Sequence, residues 1–125
     1  MKSKKHNILI CDDDLLIVNV VSLSMELAGY GVSKAYDGSE ALAIIKPKPA
    51  FHEVAIIDHM MPNLDGLGLV RELRKCKFPG KIIVLSGHLD DQIQEDYKRL
   101  SVDKIMAKPY KMPDLLDTVA SLLPK

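Results

Sequence analysis

Four short apolar runs in this chain each finish on a reactive polar residue, and no other feature restricts the fold as much. Asn7-Ile8-Leu9-Ile10-Cys11 leads into Asp12-Asp13-Asp14, and Glu53-Val54-Ala55-Ile56-Ile57 leads into Asp58. Lys81-Ile82-Ile83-Val84-Leu85 leads into Ser86, and Lys104-Ile105-Met106-Ala107 leads into Lys108-Pro109. Unbroken apolar runs of this length read as strands covered on both faces, as in a parallel sheet. Open α/β sheets carry their chemistry at the carboxyl ends of the strands. The polar residues are therefore expected to share one edge.

Segments with helical spacing separate the runs. Leu16, Val20, Leu23 and Leu27 recur at i, i+4, i+7 and i+11. They predict a first helix with these residues toward the core, the face widened by Ile17, Val21 and Ala28. Asp14 is its expected amino-terminal cap, and Gly29 its expected left-handed end. Residues 32–36 read as a short second strand. Asp37, with Glu40 three residues on, opens a second helix over Ala41, Leu42, Ile44 and Ile45 that Pro47 and Pro49 stop. Leu67, Val70 and Leu73 mark a third helix. Residues 90–100 form a polar fourth helix with a thin stripe of Ile93, Tyr97 and Leu100, and residues 113–123 form a fifth. Five strands alternating with five helices predict a doubly wound parallel sheet with right-handed crossovers.

At 125 residues the chain suits one domain, 1–125, with a substantial core. Its 17 basic and 17 acidic residues balance, so no electrostatic pull toward nucleic acid or anionic membrane is expected. Cys11 and Cys76 do not form a disulfide framework, and reduced thiols fit better. The apolar stretch before Asp12 is too short for a signal peptide, and no window matches a membrane span. A cytoplasmic location is expected.

The edge residues define the chemistry. Two carboxylates about 4 Å apart repel by roughly 4 kcal/mol at an effective dielectric of about 20. Asp12, Asp13 and Asp58 on one edge thus need protons or a cation. Magnesium suits them, with manganese as the alternative, because it accepts one or two carboxylates along with waters and phosphate oxygens. An aspartate oxygen can attack phosphorus to form an acyl phosphate, with Lys108 as a point charge and Ser86 as a hydroxyl donor. Taken singly, a strand-end Asp is commonly a cap, a Ser a turn residue and a Lys a solvated cation. Their coincidence at four strand ends argues against that reading.

Asp12-Asp13, Asp58, Ser86 and Lys108-Pro109 resemble the residue set of bacterial response-regulator receiver domains. Ile56-Ile57-Asp58-His59-Met60-Met61-Pro62-Asn63-Leu64-Asp65-Gly66 is similar to that family's phosphorylation loop. The intervals between the four positions also fit, and the resemblance covers the whole chain. It implies a flavodoxin-like sheet of order 2-1-3-4-5 and phosphoryl transfer from a histidine kinase or phosphotransfer protein to Asp58. Magnesium would be bound by Asp13, Asp58 and the Met60 backbone carbonyl, with Asp12 acting through water. Lys108 and Ser86 would contact the phosphoryl oxygens, and Lys108-Pro109 would be a cis peptide. The implied role is a switch that signals to a downstream target protein. Catalysis would be limited to self-phosphorylation and autodephosphorylation.

The chain departs from the pattern at Ile105, where the family carries Tyr or Phe, and at Ser101-Val102, where it carries a small pair. Tyr97 and Tyr110 are the aromatic residues near enough to substitute, though helix packing is the favoured reading of both. His59 and His88 read as neutral surface histidines flanking the site. Both, with Met60, lie where the phosphorylated lifetime can be tuned. The same residues would also fit a receiver fragment of a longer regulator with a DNA-binding or enzymatic output. A haloacid-dehalogenase-type phosphohydrolase ranks low, because Met60 stands where its second aspartate belongs. A flavin binder also ranks low, because three aspartates follow the first strand where flavin phosphate would sit.

Overall fold

The computed structural model describes residues 5–88 and 90–124. The strands are β1 (Asn7–Cys11), β2 (Gly31–Ala35), β3 (Val54–Asp58), β4 (Lys81–Ser86) and β5 (Lys104–Ala107). They alternate with α1 (Leu15–Leu27), α2 (Gly38–Ile45), α3 (Gly66–Lys75), α4 (Asp91–Arg99) and α5 (Met112–Leu122). All pairings are parallel, in the order β2-β1-β3-β4-β5. The doubly wound sheet expected from the alternation is therefore what forms.

Alternate residues of each strand point to opposite faces and build two cores. On one face Leu9, Cys11, Ala55, Ile57, Ile82 and Val84 pack beneath residues of α2, α3 and α4. On the other, Ile8, Ile10, Val54, Ile56, Ile83 and Leu85 pack beneath α1 and α5. β3 is buried along its whole length because it is the central strand.

The predicted caps form. The Asp14 carboxylate accepts from the N–H groups of Leu16 and Ile17, and Asp37 accepts from that of Glu40. Gly29 follows α1 at φ +98°, a backbone that a side chain would strain. The Lys108–Pro109 peptide is cis, as the resemblance implied.

The expected core face of α1 is overturned. Val18, Val21, Ser22 and Met25 face the sheet, while Leu16, Val20, Leu23 and Leu27 face outward and are exposed. Both sides of this helix are apolar, so periodicity alone does not select the buried one. The selection follows from the β1–α1 turn, where the Asp14 N–H donates to Asp12 Oδ1 at 3.0 Å and Asp14 then caps the helix. That turn fixes the helix's rotation about its axis.

Candidate functional site

Strand register determines what meets at the carboxyl edge. Cys11 pairs with Ile57, Asp58 with Leu85, and Ser86 with Ala107. Asp12 and Asp13 thus leave β1, Asp58 and Ser86 end β3 and β4, and Lys108 follows β5, all on one rim.

Asp12, Asp13 and Asp58 each offer a carboxylate oxygen, and these oxygens lie within 4.8 Å of one another. Lys108 Nζ donates to Asp58 Oδ1 at 2.5 Å and lies 3.7 Å from Asp12 Oδ2. Asp12 and Asp58 are buried, whereas Asp13 is exposed. Burial pushes the Asp12 carboxyl up to about 6; the Asp14 N–H opposes this and the Asp58 charge adds to it. Burial also works against the Lys108 ammonium, but its hydrogen bond to Asp58 and the charges of Asp58 and Asp12 outweigh that and raise it. Burial likewise raises the Tyr110 phenol, which Lys108 partly opposes.

The cluster fits a hard divalent cation on its own evidence. Asp12 Oδ2 is buried and accepts no hydrogen bond, so it retains full ligand capacity. One lysine cannot neutralise three carboxylates at this separation. The resulting donor set is all oxygen, the preference of magnesium and manganese.

Ser86 sits at the rim with its hydroxyl turned into its own loop. The hydroxyl donates to the His88 carbonyl and accepts from the His88 N–H, both at 3.0 Å. Met60 is 68% exposed in the loop after β3. Ile105 pairs with Val84 in register and packs half-buried against the core that contains Tyr97.

His88 is exposed, as expected, but His59 is not a surface residue. Its side chain turns inward, and Nδ1 lies 2.5 Å from the hydroxyl of the fully buried Tyr97. The two rings meet edge to face, with centroids 5.5 Å apart. The cause is space. Gly66 packs so closely that an added Cβ would stand 2.7 Å from the Tyr97 hydroxyl and 2.9 Å from His59 Cα. The reading of Tyr97 as packing alone therefore missed a polar tie between α4 and the residue after Asp58. The polar character of α4 with a lone buried tyrosine was the available signal.

A parallel sheet of order 2-1-3-4-5, with an acidic cluster and a lysine at its carboxyl rim, defines a class of phosphoryl-accepting, cation-binding domains. Residues 8–120 match the response regulator receiver domain, and the chain belongs to that family. Receiver domains are the phosphoryl-accepting switches of two-component signalling, and they bind magnesium at an acidic pocket of this kind. Among relatives, the chain is 33% identical to a probable transcriptional regulator, ycf27, of Cyanophora paradoxa, matching 98% of this chain and 50% of that protein. It is 33% identical to the DNA-binding dual master transcriptional regulator RpaA of Synechocystis, covering 93% of this chain and 48% of that one. The chain spans about half the length of the curated relatives it matches. Among solved structures, the chemotaxis protein CheY4 of Vibrio cholerae superposes with a TM-score of 0.87 at 29% identity, covering 96% of this chain and all of that one. A CheY-like receiver domain from Methanospirillum hungatei gives a TM-score of 0.89 at 27% identity, covering 94% and 93%.

Among the described residues, no helix is long and apolar enough to cross a membrane.

Proposed function

We propose that Asp58 is the phosphoacceptor of this receiver domain, which we take to span residues 1–125, and that a phosphohistidine on a histidine kinase or phosphotransfer protein is its donor. The observation that carries this assignment is the Lys108 ammonium on Asp58 Oδ1, beside two further carboxylates. In the transfer, an Asp58 carboxylate oxygen bonds to phosphorus as the P–N bond breaks, and the donor imidazole nitrogen keeps the bonding pair. The reaction needs in-line positioning and charge neutralisation more than covalent assistance. Lys108, already held between Asp58 and Asp12, moves its charge onto the phosphoryl oxygens. Ser86 gives up its two contacts with His88 to donate to one of them.

Asp13, Asp58 and the Met60 carbonyl would hold magnesium, or manganese in its place, with Asp12 acting through water. The bound cation supplies charge neutralisation between carboxylate and phosphate. His59 and Met60 directly follow the acceptor in the chain, His88 contacts Ser86, and the three tune how long phosphate stays. Ile105 can repack but has no ring to swing, so Ser86 movement is read out by aliphatic packing. The output is binding of a downstream protein, and no turnover of a small substrate is assigned.

A second reading is consistent with the relatives' length: the chain would then be the receiver part of a longer regulator. The names of those relatives include transcriptional regulation and DNA binding. The expected lack of nucleic-acid contact is accordingly proposed for these residues only.

Intact mass after incubation with acetyl phosphate and magnesium tests the assignment. One phosphate adduct on the wild type, absent from Asp58→Asn, is the expected result. An adduct that persists in the variant overturns it.

A further inference from the structure

We propose that the hydrogen bond between His59 and Tyr97 couples phosphorylation of Asp58 to the docking of α4, which makes Tyr97 a positioning residue of the acceptor. The coupling rests on Asp58 as that acceptor. His59 follows Asp58 directly, and its backbone is tied into the rim on both sides. Its N–H donates to the carbonyl of Leu85, one residue before Ser86, and its carbonyl accepts from the N–H of Gly66 at the start of α3. The imidazole then turns inward, with Nδ1 on the Tyr97 hydroxyl. A single residue therefore touches the strand that ends on Ser86 and the helix α4, and it adjoins the acceptor itself.

The position of α4 depends on this contact. Tyr97 is the one buried residue of the helix, Ile93 is half-buried, and Asp91, Gln92, Glu95, Lys98 and Arg99 are exposed. An element with so few buried apolar contacts opens at low cost. Other polar contacts of α4 do not lead to the acceptor. Gln92 donates to Asp96 within the helix, and Arg74 donates to the carbonyls of Leu100 and Ser101 at the end that leads into β5.

A phenylalanine ring would fill the same space, so the hydroxyl adds direction rather than volume. An added Cβ at Gly66 would stand 2.7 Å from that hydroxyl and 2.8 Å from the Asp58 carbonyl, so the phenol and the acceptor's backbone share one crowded site. Burial raises the Tyr97 phenol, and the charges of Asp65 and Asp58 add to the rise, so the acceptor's charge is felt at the hydroxyl. A phosphoryl group on Asp58, contacted by Lys108 and Ser86, fixes the segment after β3, and the buried bond passes that restraint to α4. The effect is reciprocal: whatever holds α4 in place favours phosphorylated Asp58 by the same factor.

Hydrogen exchange of the α4 amides, followed by mass with and without excess acetyl phosphate and magnesium, tests this on the intact chain well below its melting range. In wild type, exchange across α4 is expected to slow about 5-fold or more on phosphorylation, the low end of coupling between sites. In Tyr97→Phe and His59→Leu the slowing should fall below about 2-fold, although both still take the phosphate adduct. His59→Asn, whose side-chain amide stands in for Nδ1, should restore most of it. Val119→Ala removes core volume on the opposite face of the sheet, so it destabilises the fold without touching the pair and should keep the full slowing. That control separates coupling from stability. Wild-type α4 exchange that is unaltered or faster on phosphorylation overturns the proposal, as does a Tyr97→Phe variant that slows like wild type. Wild type that takes no adduct, or an adduct that survives Asp58→Asn, overturns the acceptor assignment and the coupling with it.

Discussion

Replacing Tyr97 by Phe should destabilise the protein by far more than one surface hydroxyl is worth. The Tyr97 side chain is fully buried, and its hydroxyl contacts His59 Nδ1, itself on a residue only 8% exposed. Phe keeps the ring and opens almost no cavity, so packing loss contributes little. What remains is a buried ring nitrogen with no partner, which costs about 1–3 kcal/mol. For 125 residues, an unfolding entropy of roughly 2.1 cal/mol/K per residue makes each kcal/mol worth about 4 °C of melting temperature. The expected fall is therefore about 4–12 °C. A double-mutant cycle with His59→Leu separates the pair from its surroundings. Each single variant should destabilise, and the double variant should cost clearly less than the sum. Calorimetric melting that shows additive effects, or a Tyr97→Phe shift below about 2 °C, would refute the reasoning.

Gly66→Ala should cost about 1–3 kcal/mol by overpacking, because its new Cβ meets the Asp58 carbonyl at 2.8 Å as well as the Tyr97 hydroxyl; thermal melting reads the loss. Burial lowers the His52 imidazole below 6.5, while the unfolded chain titrates near that value. The unfolded state therefore binds the extra proton first, so this contribution is full above about pH 6.5 and is lost as pH falls toward the lowered native value. Asp12, raised by burial to about 6, acts with the opposite sign between 3.8 and 6. The test is thus the difference between wild type and His52→Gln in denaturant titrations across pH, which should shrink on acidification. If the exposed apolar side chain of Met60 shields the proposed acceptor from water, Met60→Asn should shorten the phosphorylated lifetime. Loss of the phosphate adduct followed by mass measures it, and an unchanged or longer lifetime counts against the role.

Much of the architecture was legible because each level of the sequence agrees with the next. Apolar runs, turn residues and the capping carboxylates of Asp14 and Asp37 all mark the same boundaries, and the structure places elements within a residue or two of them. The edge cluster was legible for a topological reason: in a parallel sheet every strand delivers its last residue to one rim. The rotation of α1 was not, since two apolar faces on one helix satisfy the same periodicity and a three-residue turn decides between them. The hydrogen bonds of His52 with Ser33 and of His6 with Glu53 also escaped, as neither residue type nor spacing announces a contact between distant segments.

The His59–Tyr97 pair explains why the departure at residue 105 does not leave α4 unconnected to the site. A branched aliphatic at 105 fills the space beside Val84 but offers no polar atom to the rim. Tyr97 reaches the loop from the other side, and the backbone fixes where it lands. The His59 N–H donates to the Leu85 carbonyl, and the His59 carbonyl accepts from the Gly66 N–H. The imidazole is thereby anchored on both sides of its own Cα. Any displacement of the segment after Asp58 must stretch a short, buried hydrogen bond to α4 or carry that helix along. In a low-dielectric interior the second course costs less than leaving both groups unpaired. α4 buries little besides Tyr97, so it is the element free to follow.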